Sequence, residues 1–447
     1  MKKELHDCLI IGTALFAMFF GAGNLIFPPQ LGFLTGVDWL IAFIAFAITG
    51  IGIPILGIFS VEKAGGTVYH FASKVHPLFA NIFGTIIMLG IGPLLALPRT
   101  AATTYEIGIQ PFSEKINSFV SSLVFFGIVL LFSIKPSKVI DRIGKYLTPL
   151  LIFVLLCIII RGTLSPVGPI IKQPIENFFL KGFSEGYQTM DALAAMLFAT
   201  IIIDTIAERG YKNKKIRFKI NIVSGSFAAF CLLFVYSGLM YIGATGTNIF
   251  PQDISRTALL ISLCEKLWGN LGKIILAFSI ALACLTTAIG LTATAGHYFV
   301  KLFHNKVSYE VVVIIVTIFS CWLANYGVEN IIRYSIPLLE ILYPVCILLI
   351  VMNLLDDYVP NRYYYIGGTI GTMIVSILQG FISARSVFND FFSFIGITDT
   401  KFDKFFDRFN VLLQKLPFAA IGLSWLIPAV ICAVVFGFFG QHYKNNR

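Results

Sequence analysis

The apolar residues of this chain come in runs long enough to cross a bilayer, and that constrains the fold before anything else. A helix needs about 20 predominantly apolar residues to span the hydrocarbon core. Such runs recur near residues 5–33, 38–60, 79–103, 118–134, 146–163 and 183–207. Six more follow near 217–244, 273–300, 309–327, 331–354, 364–384 and 417–440. The pattern predicts an all-α integral membrane protein of about twelve transmembrane helices, with residues 1–447 forming one membrane domain. Charge makes up only 13% of the chain, against roughly 25% in a soluble domain. A water-soluble fold is excluded.

The net charge of +10 could point to nucleic acid, but its placement argues for a lipid bilayer as partner instead. Lys and Arg gather in short loops, as at Lys135–Pro136–Ser137–Lys138 and Lys212–Lys219. With the Lys2–Lys3 end inside, 19 of the 33 basic residues fall on the cytoplasmic side and 13 on the other, with Arg99 inside a span. Five of those 13 lie in the mixed-charge stretch 385–416. The positive-inside rule then puts both termini in the cytoplasm of a multi-pass plasma-membrane protein. The first run starts near Met1 and passes Leu25 without a small-residue cleavage site, so it reads as a mature span.

The eight cysteines are scattered singly, with no metal-ligand or disulfide spacing. No H-E-x-x-H or G-x-S-x-G motif and no cofactor fingerprint appears, which argues against an enzyme. Nor is there a filter sequence of the kind that a channel uses. Residues 386–415 interleave phenylalanines (Phe388, Phe391, Phe392, Phe402, Phe405, Phe406, Phe409) with charges, as an outer-surface amphipathic helix would. Pro251–Glu265 reads as an external segment covering a vestibule.

Two runs are interrupted at mid-depth. Gly21-Ala22-Gly23-Asn24, followed by Pro28-Pro29, breaks the first, and Gly186-Tyr187-Gln188-Thr189-Met190-Asp191-Ala192 breaks the sixth. Irregular backbone at that depth is tolerated only where it faces protein or a cavity. Five spans separate the two breaks, so repeats beginning at each run inverted relative to one another. Paired interruptions in inverted halves mark a transporter's binding site, with free amides for a carboxylate and free carbonyls for a cation. Plainer readings stand beside these. Gly-x-Gly also serves close helix packing, and Asp191 could cap the half-helix that follows it. Thr286 and Thr287 in span 8 could bond back to their own helix or supply hard oxygen ligands. Arg99 and Glu340, alone inside apolar runs, read as a pair forming either a structural clamp or an outer gate.

The stretch Phe19-Phe20-Gly21-Ala22-Gly23-Asn24-Leu25-Ile26-Phe27-Pro28-Pro29-Gln30-Leu31-Gly32 strongly resembles the opening signature of the bacterial branched-chain amino acid:cation symporters. Tyr187–Ala192 and the span layout resemble the same family. The resemblance implies a LeuT-like fold of two inverted five-helix repeats (about 5–163 and 183–354) plus two C-terminal helices (about 364–440). It implies a cation-coupled carrier of leucine, isoleucine and valine in a bacterial cytoplasmic membrane, working as a monomer or weak oligomer. Related folds carry aromatic amino acids or nucleobases, which are the alternative substrates.

On this matching, the substrate meets Phe19, Gly21, Ala22, Gly23, Asn24, Tyr187, Thr189, Met190, Asp191 and Ala192. The coupling ion is sodium, with protons as the alternative, and no other cofactor is implied; sodium would meet Ala17, Phe20, Ala283, Thr286 and Thr287. Some members of the wider fold carry an outer-gate Arg shortly after the Asn. This sequence has Phe27 there, so Arg99 with Glu340 is the substitute gate.

Overall fold

The computed structural model describes residues 2–113, 115–134, 148–394 and 400–445. The Lys135–Lys138 loop lies outside them, as do the side chains of Phe391, Phe392, Phe402 and Phe405. The regular secondary structure of the described residues is all helical, apart from one isolated bridge between Gly36 and Lys172. In chain order the helices are α1 (Lys2–Phe19), α2 (Ala22–Thr35), α3 (Trp39–Ala47), α4 (Ile53–Ala64), α5 (Val68–Ser73), α6 (Pro77–Leu89) and α7 (Ala96–Gly108). Then come α8 (Ser118–Ser133), α9 (Thr148–Leu164), α10 (Phe178–Tyr187), α11 (Asp191–Glu208), α12 (Lys214–Ala244), α13 (Arg256–Trp268) and α14 (Asn270–Leu302). The last six are α15 (Tyr309–Leu323), α16 (Val328–Leu354), α17 (Arg362–Ser383), α18 (Arg385–Phe394), α19 (Thr400–Gln414) and α20 (Leu426–Asn445).

Among the described residues, eight elements are long and apolar enough to cross a membrane, or nine when the bent pair α1–α2 counts as one. Three shorter apolar helices, Ser118–Ser133, Thr148–Leu164 and Leu426–Gly440, occupy the remaining runs that sequence reads as spans. The stretch read as one amphipathic surface helix is two helices, α18 and α19. The end of the bundle where α1 begins is the N-terminal face; the far face carries α13 and the start of α16.

Both anticipated breaks are present, and both are narrower than their sequences suggest. Only Phe20 and Gly21 leave the helix in the first, and the axis bends there by 68°. Ala22, Gly23 and Asn24 already form the first turn of α2. Pro28 and Pro29 continue that helix, but lacking N–H groups they leave the Asn24 and Leu25 carbonyls without their usual donors. The second break is Gln188–Met190, with Met190 left-handed at φ 64°. Here the chain continues as one membrane-length element, Phe178–Glu208.

Two further interruptions went unread in the sequence. Five-residue π turns occur at Ile48–Gly52 and Gly90–Leu94, and in the second Gly92 is non-helical ahead of Pro93. Such turns concentrate at functional sites.

α2 packs along α12 at backbone contact. A side chain on Gly32 would overlap the Met240 carbonyl, and one on Gly243 would overlap the Pro29 carbonyl. Two glycines facing each other fix the separation of these helices, as small residues do in membrane bundles.

Candidate functional site

At the first break the backbone sorts its polar groups. The Gly21 N–H turns to the Phe19 carbonyl (2.8 Å) rather than to Ala17, four residues back. The C-terminal end of α1 is therefore rich in acceptors. Thr286 Oγ1 lies 3.3 Å from the Ala17 carbonyl and 3.0 Å from that of Ala283. Thr287 Oγ1 lies 3.3 Å from the carbonyls of both Ala17 and Met18. A hydroxyl has one proton to give, so five oxygens converge with two protons among them. That surplus, at 3.0–3.3 Å spacing, matches neighbouring oxygen ligands around a cation held at about 2.4 Å. Of the five residues assigned to sodium in the sequence, four supply these oxygens, and Phe20 lies in the break itself. Met18 is an addition.

The N-terminal end of α2 has the opposite bias. Gly21 offers no side-chain cap, so the amides of Ala22, Gly23 and Asn24 lack intrahelical partners. Arg99 stands beside them: a Cβ at Gly23 would lie 2.9 Å from its Nη2. Helix dipole and guanidinium together favour negative charge at this end.

The second break closes over the first. Asn24 Nδ2 donates to Asp191 Oδ2 at 2.5 Å and also to the Tyr236 hydroxyl of α12. All three residues are buried. Asp191 is the first residue of α11 rather than its cap, and its carboxylate turns to Asn24 instead of to its own helix. Arg99 Nη1 donates to the Gln188 carbonyl at 2.8 Å, filling one of the acceptors freed by the break.

A small cavity lies between the breaks, lined by Phe19, Gly21, Ala22, Gly23, Asn24, Thr189, Met190 and Asp191. Arg99, Ile91 and Phe198 are among the other lining residues, the second of these from the unread π turn. Its volume is about 20 Å³, room for about one water. Tyr187 and Ala192, also assigned to substrate, do not line it. The Tyr187 ring stacks on Tyr343 (4.4 Å between centroids), and the Ala192 amide donates to the Tyr343 hydroxyl at 3.4 Å. Tyr236 and Tyr343 went unread because each sits in an apolar run, although Pro344 directly follows Tyr343 and was the one local signal there.

Arg99 and Glu340 are not brought together. Arg99 engages Gln188, whereas Glu340 accepts from Ser383 on α17. On the far face the charged cluster is centred on Arg256 instead, which meets Glu329 at 2.8 Å and Glu185 at 3.6 Å, with Lys181 2.9 Å from Glu185. Phe27 lies between the two cations, 5.4 Å from the Arg99 guanidinium and 5.6 Å from that of Arg256. On the N-terminal face Asp7 of α1 binds Arg209 (2.7 Å) and the Tyr211 hydroxyl (2.7 Å), just beyond α11. Its bond to Asp7, with a smaller contribution from burial, pushes the Tyr211 pKa up to about 12.

Two half-helix pairs meeting at mid-bundle, with both faces latched, define a membrane transport protein rather than an enzyme. Similar folds occur in solved structures: MhsT in complex with L-phenylalanine (TM-score 0.53, 17% identity, covering 84% of this chain and 98% of that one). Mhp1, a nucleobase-cation-symport-1 family transporter in a closed conformation, gives a TM-score of 0.61 at 12% identity (97% and 92% covered). At these identities the likeness concerns the LeuT-type fold alone. The family model described as "Branched-chain amino acid transport protein" matches residues 4–443. The branched-chain amino acid permease BraB of Bacillus subtilis is 38% identical over 445 residues (97% of this chain, 96% of BraB). BrnQ of the same organism is 34% identical over 451 residues (98% of each). The chain belongs to the branched-chain amino acid transport protein family.

Proposed function

We propose that the chain imports leucine, isoleucine and valine by alternating access, coupled to sodium. The observation that carries this reading is the separation of polarity at Phe20–Gly21. Spare carbonyl and hydroxyl oxygens lie on one side (Ala17, Met18, Ala283, Thr286, Thr287) and spare amides on the other (Ala22, Gly23, Asn24). The sodium ion takes the first set. The substrate carboxylate takes the second, within reach of Arg99, and its ammonium goes to Asp191 and the carbonyls of the Gln188–Met190 break. Phe19, Met190 and Phe198 face the apolar side chain.

The net charges support a zwitterion. The pocket holds one buried basic side chain, Arg99, and one buried acidic side chain, Asp191. The two halves of such a site are inverted repeats, and the membrane is the bacterial plasma membrane with both termini inside. Closure on both sides is then an occluded state. Opening the Asp7–Arg209–Tyr211 latch leads to the N-terminal face, and opening the Arg256 cluster leads to the far face. Binding ions and substrate shifts the balance between these states through differential affinity.

The test is counterflow of labelled leucine in proteoliposomes, with sodium and proton gradients varied separately. Saturable exchange that requires sodium supports the reading. Exchange driven by a proton gradient alone moves the coupling to protons, and unsaturable flux indifferent to either gradient discards the carrier.

A further inference from the structure

Tyr236 of α12 stands beside the central cavity without lining it. It is completely buried, and a buried phenol hydroxyl needs partners. Its ring is held from two sides, stacked on Phe20 at 6.0 Å between centroids and edge-on to Phe46 of α3 at 5.4 Å. Its hydroxyl accepts from Asn24 Nδ2 and donates to the Asp191 carboxylate. Asn24 Nδ2 gives its other proton to Asp191 Oδ2. Side chains from α2, α11 and α12 thus close a ring of hydrogen bonds, and two of the three bonds end on Asp191. The Thr189 hydroxyl, also next to that carboxylate, has the Gly186 carbonyl as an acceptor at 2.9 Å.

A carboxylate accepts about four hydrogen bonds, so the ring leaves Asp191 capacity to spare. Two groups compete for it. One is an ammonium entering the cavity that Asp191 lines; the other is Arg99, which lines the same cavity. A carboxylate free to rotate would swing to the guanidinium, and the two charges meant for opposite ends of a zwitterion would neutralise each other. That collapse has not occurred, since Arg99 Nη1 goes to the Gln188 carbonyl. We propose that Tyr236 is a positioning residue for substrate recognition: it holds the Asp191 carboxylate away from Arg99 and aims its unused oxygen lone pairs at the substrate ammonium. A rigid ring with two aromatic contacts does this at little cost in ordering when the ligand arrives. Tyr236 lies about two turns before Gly243 on α12. The Gly32–Gly243 contact that sets the spacing of α2 and α12 therefore also sets how far the hydroxyl reaches.

The inference rests on the proposed amino acid substrate, and the test separates the two. Equilibrium binding of labelled leucine to the full-length protein in nanodiscs is measured in a double-mutant cycle. Tyr236→Phe should weaken leucine about tenfold in the wild-type background, equivalent to about 1.4 kcal/mol. In an Asp191→Asn background, where no charged carboxylate is left to aim, the same substitution should cost less than about twofold. The sodium concentration giving half-maximal binding should stay the same in Tyr236→Phe, because the oxygens around Thr286 and Thr287 are untouched. If Tyr236→Phe folds poorly, Phe46→Leu carries the test: it loosens the ring, keeps the hydroxyl, and should weaken leucine a few-fold in the wild-type background alone. Equal losses in both backgrounds, no loss in either, or a sodium response that shifts with the leucine one overturns the positioning role and leaves the transport reading intact. A wild-type protein that binds no leucine overturns both.

Discussion

Asn24 and Asp191, 167 residues apart in sequence, share a 2.5 Å hydrogen bond that ties the first turn of α2 to the first turn of α11. Each lies at the start of a half-helix, so the bond locks the two breaks at a fixed spacing. Asp191→Ala leaves the Asn24 amide short of an acceptor in a buried site, at a cost of about 1–3 kcal/mol. Leucine uptake should fall at least about tenfold. Asp191→Asn preserves an acceptor oxygen but removes the charge. If it restores uptake to within a few-fold, the position needs the hydrogen bond alone; if it stays as low as alanine, the ammonium contact is what matters.

The oxygen cluster predicts a split between ion and substrate dependence. Thr286→Ala and Thr287→Ala each remove one ligand, and the sodium concentration giving half-maximal uptake should rise about tenfold or more. Leucine KM at saturating sodium should change much less. Thr287→Ser keeps the oxygen and should recover most of the sodium response. Unchanged sodium dependence in both alanine variants would refute the assignment.

Gly243 predicts a stability defect without a binding defect. A side chain there meets the Pro29 backbone, and overpacking costs about 1–3 kcal/mol. Gly243→Ala should lower the melting temperature of the purified protein. The surviving folded fraction should keep its sodium dependence.

The N-terminal-face latch carries a pH signature. Tyr211 titrates near 10 when free and is pushed up to about 12 by its bond to Asp7. Raised pKa means that the folded state favours the protonated form. Its contribution is complete below pH 10 and is lost as pH rises through about 12. The melting-temperature difference between wild type and Tyr211→Phe should therefore hold steady up to pH 10 and shrink to nothing by pH 12. A difference that vanishes nearer neutrality would place the latch elsewhere.

The membrane class and both mid-depth breaks are readable because glycine, proline and polar residues inside apolar runs violate a strong local rule. Their true extent is not, since Ala22, Gly23 and Asn24 are compatible with either a helix's first turn or open chain. The Gly90-Ile91-Gly92-Pro93 turn carried the same kind of signal and was passed over, although Ile91 lines the site. Partners set by packing between distant helices left little local trace. Tyr236 looks like an ordinary span residue, Tyr343 is marked only by the Pro344 that follows it, and the Arg99 partner turned out to be a backbone carbonyl released by the second break rather than Glu340.

The gap between the breaks accommodates one water and nothing larger. On the proposed reading an amino acid enters this gap only if α2 and α11 part company and Arg99 lets go of Gln188, so a dissociation constant measured for that site contains the work of the separation. Substitutions that slacken the closed form would then register as tighter binding, even where they touch no ligand.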